Sequence, residues 1–208
     1  MTEQQIPQLA GALVTHQRHF GALSTHDAQW AIQNTATAIA LWVNAIRNRG
    51  NVVEKRLEFV ATTSVAAIES FKSFESFKKG KKGPVQIYSV SDDFKKHFGG
   101  KEEGASEAVD LKIHKLLVRS LDVLVIKELA DKFEITLGQF FALLKKQGKG
   151  EAGVLLLEGY NVIIAYIRDD EGILWAVFAF WDTSRGWCID VHSIAGVGWL
   201  GSSRVLSR

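Results

Sequence analysis

Ile173-Leu-Trp-Ala-Val-Phe-Ala-Phe-Trp181, Asp182-Thr-Ser-Arg-Gly186 and Trp187-Cys-Ile-Asp-Val-His-Ser193 form the stretch whose reading decides the fold. Two runs rich in β-branched and aromatic residues flank a polar, glycine-closed break, which is the pattern of a β-hairpin. Strand alternation puts Trp175, Val177, Ala179 and Trp181 on one face, and Trp187, Ile189 and Val191 join them if Trp181 pairs with Trp187. That face is wholly apolar and must be core. The other carries Phe178, Phe180, Cys188, Asp190 and His192, a mixture that suits a covered face or a binding surface for a base, ring or peptide.

Outward from this hairpin, Val154–Leu157, Tyr160–Arg168 and Trp199–Leu206 read as three more strands, separated by Gly159, Asp169-Asp-Glu-Gly172 and Gly196–Gly198. Links this short force antiparallel neighbours, because a parallel crossover needs a dozen residues or more. Residues 151–208 are therefore expected to form a five-stranded antiparallel β-meander or small barrel.

The preceding residues carry helical spacing. Trp30, Ile32, Ile39, Leu41, Trp42, Val43 and Ile46 predict a helix over 26–48, started by Ser24–Asp27 and stopped by Gly50. Leu57, Val60, Val65, Ile68 and Phe71 predict a second helix over Val53–Phe77, and the pair reads as an antiparallel hairpin. Val85–Val90 alternates like a short strand, and residues 94–104 read as a loop or short helix. Ser106 opens a further helix through Leu111, Leu116, Leu117, Leu121 and Leu124. The expected class is α+β, with a helical N-terminal two-thirds followed by the meander. The expected regions are a helical hairpin at 1–83, a short strand with helices at 84–150 and the meander at 151–208, able to share one core.

Composition narrows the function. The chain has 208 residues and a net charge of +2, which by itself singles out neither nucleic acid nor membrane. The distribution says more: residues 51–101 hold ten Lys or Arg against six acids, and residues 151–208 hold four against seven. Electrostatic steering would come from the middle of the chain. A single cysteine, Cys188, excludes a disulfide framework and a cysteine-rich metal site. The N-terminus has no apolar leader core, and the longest apolar runs fall far short of the ~20 residues of a bilayer span. A cytoplasmic location is expected, with no membrane partner.

Two features point to binding. Lys127–Lys146 is similar in spacing to a helix-turn-helix, with Leu129, Ala130 and Phe133 facing inward, Ile135 in the turn, and Phe140, Leu143 and Leu144 packing back. Glu134 stands where that pattern has Gly. In this reading Thr136 and Gln139 approach the groove, Gln139 for base edges, while Lys145 and Lys146 meet phosphates. The second feature is the lysine set Lys78, Lys79, Lys81 and Lys82 beside Phe71, Phe74 and Phe77, which suits phosphate neutralisation and stacking. It also suits a solvated linker flanked by core phenylalanines.

A catalytic site is not expected. Cys188 and His192 stand four residues apart on one strand, ~13 Å, too far to share a proton or a metal. His16, His19, His26, His97 and His114 fit no ligand spacing, and no phosphate loop, dinucleotide fingerprint or nucleophile elbow is present. The expectation is a non-catalytic regulatory or accessory protein acting on nucleic acid or a nucleoprotein, without cofactor or metal. The alternative is a protein-interaction module: an assembly subunit, an inhibitor of a larger enzyme or a homo-oligomer. It would use the uncharged helix 28–46, with Trp30 and Trp42 facing the partner.

Overall fold

The computed structural model describes Asn34 and residues 55–155, 161–194 and 198–208. The chain divides into two compact units, residues 1–53 and Glu54–Arg208, and the fold below is that of the second. Apart from Asn34, the expected helix 26–48, with Trp30 and Trp42, lies outside the described residues.

The expected helical two-thirds is overturned. Strand exceeds helix among the described residues, 39% against 21%, and the centre of the fold is a seven-stranded mixed sheet. Its strands are β1 (Leu57–Val65), β3 (Ile87–Val90), β5 (Val109–Leu116), β6 (Ile163–Arg168), β7 (Leu174–Asp182), β8 (Gly186–Ser193) and β9 (Arg204–Ser207), in the order β1-β5-β9-β6-β7-β8-β3. A second, two-stranded sheet pairs β2 (Phe71–Lys72) with β4 (Glu102–Glu103). The helices are α1 (Ser73–Ser76), α2 (Asp92–Phe98), α3 (Asp122–Leu129) and α4 (Leu137–Lys145).

Both expected helices give way to strands on local physical grounds. In β5 the sequence Val109-Asp-Leu-Lys-Ile-His alternates strictly, so Leu111 and Ile113 are buried while their polar neighbours are not. In β1 the run Phe59-Val-Ala-Thr-Thr-Ser-Val65 is rich in β-branched residues that suit a pleated edge. Its apolar positions match a helical spacing only by coincidence.

The five-stranded antiparallel meander also gives way. β6, β7 and β8 are antiparallel neighbours, with Trp181 opposite Trp187. β9, however, leaves β8 and runs parallel to β6 and antiparallel to β5, in the middle of the sheet. β3 closes the far edge in parallel to β8. Residues 151–155 form no strand.

Alternation along each strand builds two cores. One face of the sheet presents Ile113, Ile163, Ala165, Ile167, Val177, Ala179, Trp187 and Ile189 to phenylalanines and leucines of α2 and α4. The opposite face presents Ile164, Tyr166, Ala176 and Val205 to Val125 and Leu129 of α3 and to Trp199. No described helix is long and apolar enough to cross a membrane.

This layering removes the helix-turn-helix. α3 packs on one face and α4 on the other, so they cannot dock as a helix pair. Between them the chain crosses beside β6. Glu134 bridges Tyr166 in parallel, and the Ile135 amide donates to the Tyr166 carbonyl. Phe133 packs edge-on against the Tyr166 ring on α3's side, while Ile135 is buried on α4's side. Ala130, at φ +54°, opens the 3-10 turn Ala130–Lys132 that reverses the chain.

Candidate nucleic-acid interface

The residues Lys78–Pro84 are part of the fold and not a linker. The Gly80 amide donates to the Ile87 carbonyl and the Ile87 amide to that of Gly80, which pins the lysine loop along β3. Val85 is buried behind it. Upstream, the Phe71, Phe74 and Phe77 series does not share one helix face. Phe71 lies in β2, and α1 is a single turn. Phe71 and Phe77 therefore enter the core, where Phe77 meets Phe94 at 5.0 Å and Phe141 at 5.1 Å, ring centre to ring centre. Phe74 points out and is 73% exposed.

Between α1 and α2 lies an open cavity of about 440 Å³. Its apolar walls are Phe74 and Phe77 on one side and Val90 and Phe94 on the other. Its rim carries Lys78, Lys79 and Lys95. Ser91 positions the far wall, accepting the Phe94 amide on its side chain as N-cap of α2. The cationic groups differ in availability. Lys95 is ion-paired with Asp92, whose carboxyl it holds below the usual carboxylate range. Lys72 is within 3.6 Å of Glu102, and Lys101 within 3.2 Å of Asp170. Lys78, Lys79, Lys81 and Lys82 are exposed and form no ion pair among the described residues. The Lys78 ammonium sits 5.0 Å from the Phe74 ring centre.

Ser73 also lines this cavity. It is 1% exposed, and its hydroxyl has no hydrogen-bond partner. A buried hydroxyl ordinarily finds one, and leaving it unmatched costs about 1–3 kcal/mol. The sequence gives no signal for Ser73 or for the Val90 and Phe94 wall, because they meet the lysines only through the packing of α2 on α1.

The other groups singled out from sequence are placed differently. The Thr136 side chain accepts the Gln139 amide, and the Gln139 side chain accepts the Thr136 amide, a reciprocal capping box. The next two amides, Leu137 and Gly138, donate to Glu103. Gln139 is 6% exposed. The start of α4 is thus filled by the protein's own acceptors, which leaves Gln139 no edge to read. Lys145 and Lys146 are exposed at the far end of α4, away from the rim lysines in the chain and on another element.

On β8, Cys188 is buried, Asp190 accepts its neighbour's amide at Val191, and His192 stacks on Trp199 at 4.4 Å. Burial lowers the His192 pKa from its ordinary value. Among the described residues no three His, Cys, Asp or Glu side chains gather as a metal site. A second cavity, of about 330 Å³, sets Lys112, Lys132 and Arg208 against Glu128 and Asp131. Its mixed signs give an anion less attraction than the lysine rim does.

Fold and site together define an α+β protein built on a mixed sheet, with an aromatic cavity under a lysine rim. No family model matches the chain, and no curated protein or solved structure matches it significantly.

Proposed function

We propose that this is a non-catalytic accessory or regulatory protein that binds nucleic acid through its basic middle region. The observation that carries the reading is the convergence of Lys78 and Lys79 with Lys95, from two separate stretches, on one aromatic-walled cavity. Lys81 and Lys82 extend the same positive surface along the pinned loop. Of these, Lys78, Lys79, Lys81 and Lys82 form no ion pair among the described residues and can exchange counterions for phosphates, whereas Lys95 is already paired with Asp92. Exposed Phe74 beside them adds a face for stacking. The helix-turn-helix route forms no part of this reading.

The test is the salt dependence of binding to a labelled oligonucleotide. Replacing Lys78 and Lys79 together by Ala removes two phosphate contacts. The slope of log K against log salt is expected to become shallower by roughly 1.4–1.8. An unchanged slope and affinity would sink the proposal, whatever the fold does.

A further inference from the structure

We infer that the cavity between α1 and α2 receives one unpaired nucleobase, so that the ligand is single-stranded. This rests on the nucleic-acid reading above and specifies its substrate. The cavity, about 440 Å³, falls within the ~300–1,000 Å³ of small-molecule sites, large enough for a flat ring and too small for a stacked base pair with its backbone. Its mouth carries the exposed Phe74 ring, and the core residues Phe77 and Phe94 close it behind. Its rim is cationic where the attached phosphate would lie, at Lys78 and Lys79. Aromatic platforms beside a positive track are the general means of holding single strands, because an unstacked base offers its face and a paired one does not.

The experiment measures anisotropy of a fluorescein-labelled single strand of about 12 nucleotides, a length within the span of common single-strand sites. The same sequence is also presented as a duplex. Single-strand binding is expected to exceed duplex binding at least tenfold at equal salt. Phe74→Ala should weaken single-strand binding by roughly 5- to 150-fold, the value of one stacked base, while leaving duplex binding unchanged. As competitor, a mononucleotide should outperform inorganic phosphate.

Equal binding of duplex and single strand, or indifference to Phe74→Ala, overturns this inference while nucleic-acid binding itself stands. Equal competition by phosphate does the same. Absence of binding to either oligonucleotide, with acidic lipid vesicles bound instead, overturns both readings.

Discussion

The sheet face under α2 and α4 is closed almost entirely by hydrocarbon, whereas the face under α3 encloses a carboxyl group. On the first, Phe94, Phe98, Phe140 and Leu144 are at most 1% exposed and pack on strand residues, with the Trp187 and Trp175 indoles donating to the Gln147 carbonyl and to Asp169. On the second, Asp122 is 1% exposed at the start of α3. Its Oδ1 accepts from the Tyr166 hydroxyl at 2.8 Å and from the Trp199 indole, and its Oδ2 has no partner. Burial pushes the Asp122 pKa from 3.8 up to about 6, and burial with that neighbouring carboxyl pushes Tyr166 up as well. The carboxyl under α3 is thus held back from ionising, whereas Asp169 at the edge of the α2 side, despite burial that opposes ionisation, is held below its ordinary value by the Trp175 indole and the Ile173 and Glu171 amides.

That contrast can be broken by substitution. The largest effect is expected on the hydrocarbon face, where Phe140→Ala leaves a void that the surrounding side chains cannot fill. Its cost, read from the urea midpoint, should be about 3–5 kcal/mol and should not vary with pH. A pH-dependent loss there would erase the distinction.

Asp122 comes next. Because its folded pKa is raised, its contribution to stability is full below the unfolded value near 3.8 and is lost as pH rises through about 6. The shift corresponds to about 3 kcal/mol. His192 acts in the opposite sense. Its lowered pKa makes its contribution full above the ordinary value of 6.5 and lost as pH falls. The two partly cancel in the native protein, so the difference between wild type and Asp122→Asn is the informative quantity. That difference should swing by about 3 kcal/mol in the variant's favour from about pH 2.5 to about pH 7.5. A flat difference would mean that the carboxyl group is not buried as described.

Tyr166→Phe removes one of the two donors to Asp122 and should cost about 1–3 kcal/mol at neutral pH. It should also raise the Asp122 pKa further, seen as a shift of the carboxyl resonance in carbon NMR. The smallest effect belongs to Phe74→Ala. With its ring already in water, stability should stay within about 0.5 kcal/mol, so any change in ligand binding is a binding effect.

Local pattern revealed much of the C-terminal hairpin and little of its setting. The alternation around Trp181 and Trp187 specified a register that the sheet adopts, because adjacent strands with a short turn have few other choices. The same period of two ran through Val109–Ile113, but the leucines after it imitated a helix and outweighed it. The parallel pairings of β9 with β6 and of β3 with β8 join residues far apart in sequence, and no local spacing encodes them. Thr136 with Gln139 three residues on has the residue types of a capping box, which marks a helix start. What it could not reveal was that the preceding helix packs on the other side of the sheet. For the candidate site, the lysines and Phe74 stood out in the sequence, while the cavity existed only once α2 had been placed.

The position of β9 has a consequence for how the molecule is made. Residues 204–207 lie between β5 and β6 and are the strand that joins β1 and β5 to the other four. On the ribosome, β6, β7 and β8 can zip together as they emerge, since their contacts are short-range. The first two strands must wait, holding open edges, for a segment made some ninety residues after β5 ends. Such a topology folds late and slowly for its size, and its nascent halves are the form most in need of shelter from one another.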